Sequence, residues 1–126
     1  MKLNVISSDK APAAIGPYSQ AIMAGNLLFC SGQIPLDPAT GELVAGDVVV
    51  QAGQVMKNIA AVLAAAGTGF DSVVKTTIYL AERGDFAAVN EVYGSCFGSH
   101  KPARSTVAVK SLPRGALLEI EVIAQV

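Results

Sequence analysis

Near its C-terminus the chain reads KPARSTVAVK and then SLPRGALLEIEVIAQV, two apolar stretches around a Pro-Gly turn. Arg104 opens the first, and Glu119 and Glu121 stand two residues apart in the second. A guanidinium is a planar, permanently charged fork that matches a carboxylate bidentately. A carboxylate in reach of a water can act as general base or orient its attack. These types could together belong to a pocket between subunits. The plainer reading of Arg104 is a strand-end arginine in a surface ion pair, worth at most ~1 kcal/mol. Glu119 and Glu121 share parity, so either could be the pocket acid. The plainer reading of Glu121 is an ion pair across a subunit interface, with Lys75 or Lys110 as candidate partners.

Further residues invite the same weighing. Tyr18 follows Gly16-Pro17, which fixes its backbone, and is either a pocket tyrosine or an aromatic anchor at a loop end. Ser31 and Gly32 sit at a strand end, where glycine permits close approach of a ligand to the backbone; the alternative is an ordinary turn. Asn90 stands four residues after Phe86 at the edge of an apolar helical stripe. Asparagine there costs helix propensity, so a partner is expected, either a ligand or a neighbouring loop's backbone. Thr106 follows Arg104 by two. His100 is the one histidine, and no Cys or Asp lies at catalytic spacing, so it reads as a loop residue. Cys30 and Cys96 lack any CxxC pattern and give no tetrahedral zinc set. They read as small buried groups in a reducing cytosol.

The elements must position these residues within an unusually apolar chain. Of 126 residues, 52% are hydrophobic and 15% charged, against roughly 25% charged in a typical soluble domain. Such a chain either enters a membrane or hides surface in an oligomer. The longest apolar run, Ile59 to Gly67, is far short of the ~20 residues that span a bilayer, and MKLNVISSDK has no apolar leader stretch. An oligomer, with a cytoplasmic location, is therefore expected. Net charge is −1 and the nine basic residues are scattered, so neither nucleic acid nor an anionic membrane is an expected partner.

Residues 1–126 read as one domain with no repeat or linker. Asn4–Ile6, Gln20–Met23 and Leu27–Ser31 are strand candidates, followed by turn-rich sequence to Gly46. From Asp47, a good N-cap, apolar residues recur with helical spacing to Gly67. Gln51, Gln54, Lys57 and Asn58 are expected on the wet side. SVVKTTIYL alternates, with Val74, Ile78 and Leu80 on one face and Lys75, Thr77 and Tyr79 on the other. A second helix is predicted from Asp85 as N-cap to about Cys96, with Phe86, Val89, Tyr93 and Phe97 as its stripe. Two strands close the chain. The order β-β-β-α-β-α-β-β lets two helices cover one face of a sheet. In the last strand Leu118, Ile120, Val122, Ala124 and Val126 would pack under them. The opposite face carries Leu117, Glu119, Glu121, Ile123 and Gln125. It is too apolar for free solvent and too charged for a sealed core, as suits a subunit interface with a wet pocket.

Four stretches resemble the reactive-intermediate deaminase (Rid, also called YjgF) family: IGPYSQA from Ile15, SGQIPLDPATGEL from Ser31, DFAAVNEVY from Asp85, and PARSTVAVKSLPRGALLEIE from Pro102. They come in family order and span essentially the whole chain. The resemblance implies a chorismate-mutase-like α/β fold, a mixed six-stranded sheet with two helices on one face. It implies a homotrimer with inward-facing sheets and a site in each inter-subunit cleft. It also implies hydrolysis of enamines and imines such as 2-aminoacrylate, 2-iminopropanoate and 2-iminobutanoate to 2-oxo acids and ammonia, with no metal or cofactor. Arg104, Glu119 and Tyr18 then occupy catalytic positions, and Arg104, Ser31, Gly32, Asn90 and Thr106 substrate-binding ones. The motif alignment favours Glu119 over Glu121. Two features depart from relatives. Thr106 stands where many have cysteine, and FGSHKPARS is shorter than in many of them, which bears on substrate size. A non-catalytic trimer that binds small carboxylates is the alternative, and an endoribonuclease a weaker one.

Overall fold

The computed structural model describes residues 2–126. Its elements in chain order are β1 (Leu3–Ile6), β2 (Ala21–Ala24), β3 (Leu27–Cys30), α1 (Val48–Ala65), β4 (Val73–Leu80), α2 (Phe86–Phe97), β5 (Ala103–Ala108) and β6 (Leu118–Gln125). The expected order of strands and helices is the observed one. The strands form one mixed sheet in the order β1-β2-β3-β6-β4-β5. Every neighbouring pair is antiparallel except β4 and β5. Those two are parallel because α2 carries the chain back across the sheet between them. The last strand thus lies in the middle of the sheet, and β5, which carries Arg104, is an edge.

Helix α1 begins where the sequence predicts: the Asp47 carboxylate accepts from the Val50 amide at 3.0 Å. It ends before Gly67, whose φ of +80° is the left-handed stop that glycine adopts without a Cβ penalty. By length and composition α1 is apolar enough to cross a membrane, but half of it is buried within the fold. It is the helix that covers the core. Leu28, Val55, Ile59, Leu63, Ile78, Leu118 and Ile120 form that core between helices and sheet, each contributing about 1.5–3 kcal/mol.

Four details differ from the sequence reading. Gln51 and Asn58 are buried rather than wet, because loops lie over that side of α1. Gln51 Oε1 accepts from the Leu117 amide at 2.9 Å, and Asn58 Nδ2 donates to the Leu36 carbonyl at 2.9 Å. Val74 is 43% exposed and Val73 takes the core position. A bulge between Val73 and Lys75, opposite β6, shifts the alternation by one at the strand's start. Asp85 precedes α2 but makes no side-chain cap, since a 3₁₀ turn over Arg83–Asp85 already gives it helical backbone. Val126 lies beyond the end of β6 and is exposed, although Leu118, Ile120, Val122 and Ala124 are buried as expected.

Candidate active site

Parallel register places Arg104 beside Thr76 and Thr106 beside Ile78. Thr76 and Ile78 are buried under the helices, so Arg104 and Thr106 point toward the helix layer, at the sheet's edge. There α2 presents Phe86, Asn90 and Tyr93, which helical spacing aligns on one face. The Arg104 guanidinium carbon lies 5.4 Å from the Phe86 ring centroid and 5.1 Å from that of Tyr93. Its Nη1 donates to Asn90 Oδ1 at 2.6 Å. Tyr93 is itself held, its hydroxyl 2.8 Å from that of Thr76. Two aromatic faces and one amide therefore fix the fork, each ring adding about 0.5–1 kcal/mol at an exposed site.

Among the described residues Arg104 has no carboxylate partner, and the one ion pair joins Arg114 to Glu42, at 3.4 Å. Asn90 thus finds its partner in a side chain of β5, not in a loop backbone. The guanidinium borders two clefts. One, of about 440 Å³, includes Tyr93, Phe97, His100 and Lys101; the other, of about 400 Å³, includes Arg83, Phe86 and Thr106. The Thr106 hydroxyl is buried and has no hydrogen-bond partner among the described residues. His100, read as a plain loop residue, has Nε2 2.7 Å from the Val73 carbonyl, which fastens the loop before β5.

The carboxylates lie on the other side of the sheet. Register places Glu119 opposite Tyr79 and Glu121 opposite Thr77. The Tyr79 hydroxyl donates to Glu121 Oε1, and this bond, ahead of burial and of the charges of Glu121 and Glu119, raises the Tyr79 pKa. Burial first, and then the charge of Glu121, raises the Glu119 carboxyl above its usual range. Gly32 lies directly against Glu119: a Cβ there would collide with the carboxylate, so glycine is what admits it. Mutual bonds between Gln33 and Ile120, at 2.8 and 3.1 Å, hold this approach. Ser31 Oγ donates to the Ser19 carbonyl at 2.6 Å, next to Tyr18, whose ring is 55% exposed.

One chain therefore assembles two separate groups. Arg104, Asn90 and Thr106 share the edge beside α2, while Glu119 and Gly32 share the open face, with Ser31 adjoining. It does not bring Arg104 to Glu119. The sequence reading missed that Phe86 and Tyr93 hold the guanidinium. Their spacing around Asn90 was the available signal, but an aromatic stripe on a helix reads first as core. It also missed the bond between Tyr79 and Glu121, which only the β4–β6 register reveals.

Residues 8–126 match the family model described as Endoribonuclease L-PSP. The chain is 60% identical over 126 residues to Protein DfrA of Myxococcus xanthus, covering 98% of this chain and 96% of that protein. It is 52% identical over 120 residues to the 2-iminobutanoate/2-iminopropanoate deaminase of Mus musculus, covering 95% and 89%. The crystal structure of E. coli TdcF with bound serine matches with a TM-score of 0.92 and 43% identity, covering 98% of each chain. With the sheet, the four motifs and these relatives in agreement, the chain belongs to the reactive-intermediate deaminase (Rid/YjgF) family.

Proposed function

We propose that this protein hydrolyses small 2-imino acids and their enamine tautomers, such as 2-iminopropanoate and 2-iminobutanoate, to 2-oxo acids and ammonia. The site is completed between copies of the chain, arranged as a homotrimer. The observation that carries this reading is the state of Arg104. Its guanidinium is held by Asn90 and two rings, borders open clefts, and lacks an acidic partner. An arginine so prepared is complementary to a carboxylate that arrives from outside. The named deaminase relative and the serine bound to E. coli TdcF, itself a small carboxylate, agree with it.

The chemistry follows from the charges. Arg104 holds the substrate carboxylate and so fixes the neighbouring C=N carbon. Glu119, from a second copy's open face, accepts a proton from water as the water oxygen bonds to that carbon. The C=N electron pair moves onto the protonated imine nitrogen, giving a neutral carbinolamine. Glu119 then returns its proton to nitrogen. The C–N bond breaks with loss of ammonia, and the hydroxyl proton passes to the Glu119 carboxylate as C=O forms, from which it leaves to solvent. A raised carboxyl pKa makes Glu119 a better proton acceptor than an ordinary surface glutamate.

The test is a timed coupled assay in which an amino-acid oxidase generates the imine and 2-oxo acid release is followed. Wild type should accelerate release, and Arg104→Ala should lose about 30-fold or more, as truncation of one member of a charged contact costs ~2–5 kcal/mol. Unchanged turnover in Arg104→Ala would remove the arginine from the site. Binding without acceleration by wild type would select the non-catalytic carboxylate binder.

A further inference from the structure

The cleft of about 400 Å³ beside β5 is lined by Leu80, Arg83, Phe86, Arg104, Thr106 and Val107 among others, and no carboxylate lines it. Arg83 lies in the 3₁₀ turn before α2 and is flanked in sequence by Glu82 and Asp85. Neither forms an ion pair with it among the described residues. Two unpaired guanidinium groups thus border one cleft. The Thr106 hydroxyl, buried on β5 two residues beyond Arg104, is also without a partner. A buried hydroxyl left unsatisfied is costly, and like charges facing one cavity repel. An anion with several acceptor oxygens relieves both.

We infer that the cleft bordered by Arg83, Arg104 and Thr106 admits 2-imino acids with a second carboxylate in the side chain, of the aspartate or glutamate type, and that Arg83 determines this specificity. The inference rests on the deaminase reading above, because Arg104 must hold the carboxylate common to every substrate. Arg83 receives the second carboxylate as a fork, which a small uncharged side chain leaves unused. Leu80, Phe86 and Val107 supply the apolar part of its lining.

The test compares imines made in situ by flavin oxidases acting on alanine and on aspartate, with release of the corresponding 2-oxo acid timed against the spontaneous rate. Wild type should accelerate both. In Arg83→Gln the ratio of kcat/KM for the aspartate imine to that for the alanine imine should fall about tenfold or more, mainly through KM, since loss of a matched polar contact is what a specificity site punishes. Arg83→Lys should restore part of the ratio by returning the charge without the fork. Acceleration of the alanine imine alone by wild type, or an unmoved ratio in Arg83→Gln, overturns the inference and leaves the deaminase reading standing. Acceleration of neither imine overturns that reading, and this inference with it.

Discussion

Glu119 is half-buried on β6 against Gly32, with Glu121 two residues away. Its raised pKa is a statement about stability as well as reactivity. A carboxyl that ionises less readily in the folded chain than in the unfolded one favours folding at low pH. That contribution is lost as pH rises through the raised folded value. Glu119→Gln removes the penalty, so the variant should be more stable than wild type at neutral pH, and the difference should vanish below about pH 4, the ordinary carboxylate value. Denaturant melts at both pH values check this; equal stability at neutral pH contradicts it. As a base, Glu119 must be ionised, so the acid limb of kcat/KM should lie above the ordinary carboxylate range and disappear in Glu119→Gln. The motif alignment pointed to Glu119, whereas parity left Glu121 equivalent. The register puts both on one face, and they differ in their contacts: Glu121 is bonded to Tyr79, whereas Glu119 lies against Gly32. Cys30 was legible from composition alone: burial pushes its thiol up to about 12, so it stays protonated at neutral pH.

Helix α1 shows what periodicity conveys and where it stops. The 3.6-residue repeat, the Asp47 cap and the Gly67 stop were readable because each is a local constraint on backbone geometry. The fate of the polar stripe was not, because burial of Gln51 and Asn58 depends on loops distant in sequence that return over them. Asn58 is fully buried, bonded to the Leu36 carbonyl and to Gln54 at 2.9 Å each. Asn58→Ala should cost about 1–3 kcal/mol in chemical denaturation, the penalty of an unsatisfied buried carbonyl. A variant within a few tenths of wild type would show that water replaces the amide. The bulge at Val73 escaped the sequence for a related reason. A one-residue slip in alternation is invisible until the partner strand sets the register. At the sheet edge, the PARST motif placed Arg104 correctly on a strand, but only the parallel pairing with β4 shows that it faces α2.

Among the described residues, large apolar groups stand exposed on the face of the sheet opposite the helices. Phe29 is 44% and Val107 45% exposed, on the same face as Ile123 and Tyr79 by register. An apolar sheet face without a cover is the kind of surface that interaction sites use, and it fits the oligomer proposed above. The same topology divides the chemistry: β5 offers its guanidinium to one side at the edge, and β6 offers its carboxylate to the other. Composition could indicate a partner, yet no spacing in the sequence could tell that Arg104 and Glu119 part company within a chain. The decisive measurement is complementation. Arg104→Ala and Glu119→Gln are each prepared, mixed in equal amounts, unfolded together and refolded, and imine hydrolysis is timed. Each variant alone should be nearly inactive. The mixture should recover about a quarter of wild-type activity, because a ring of head-to-tail interfaces pairs one intact arginine with one intact glutamate in about that fraction of sites. A mixture no more active than its components would show that both residues must come from the same chain, or that neither acts.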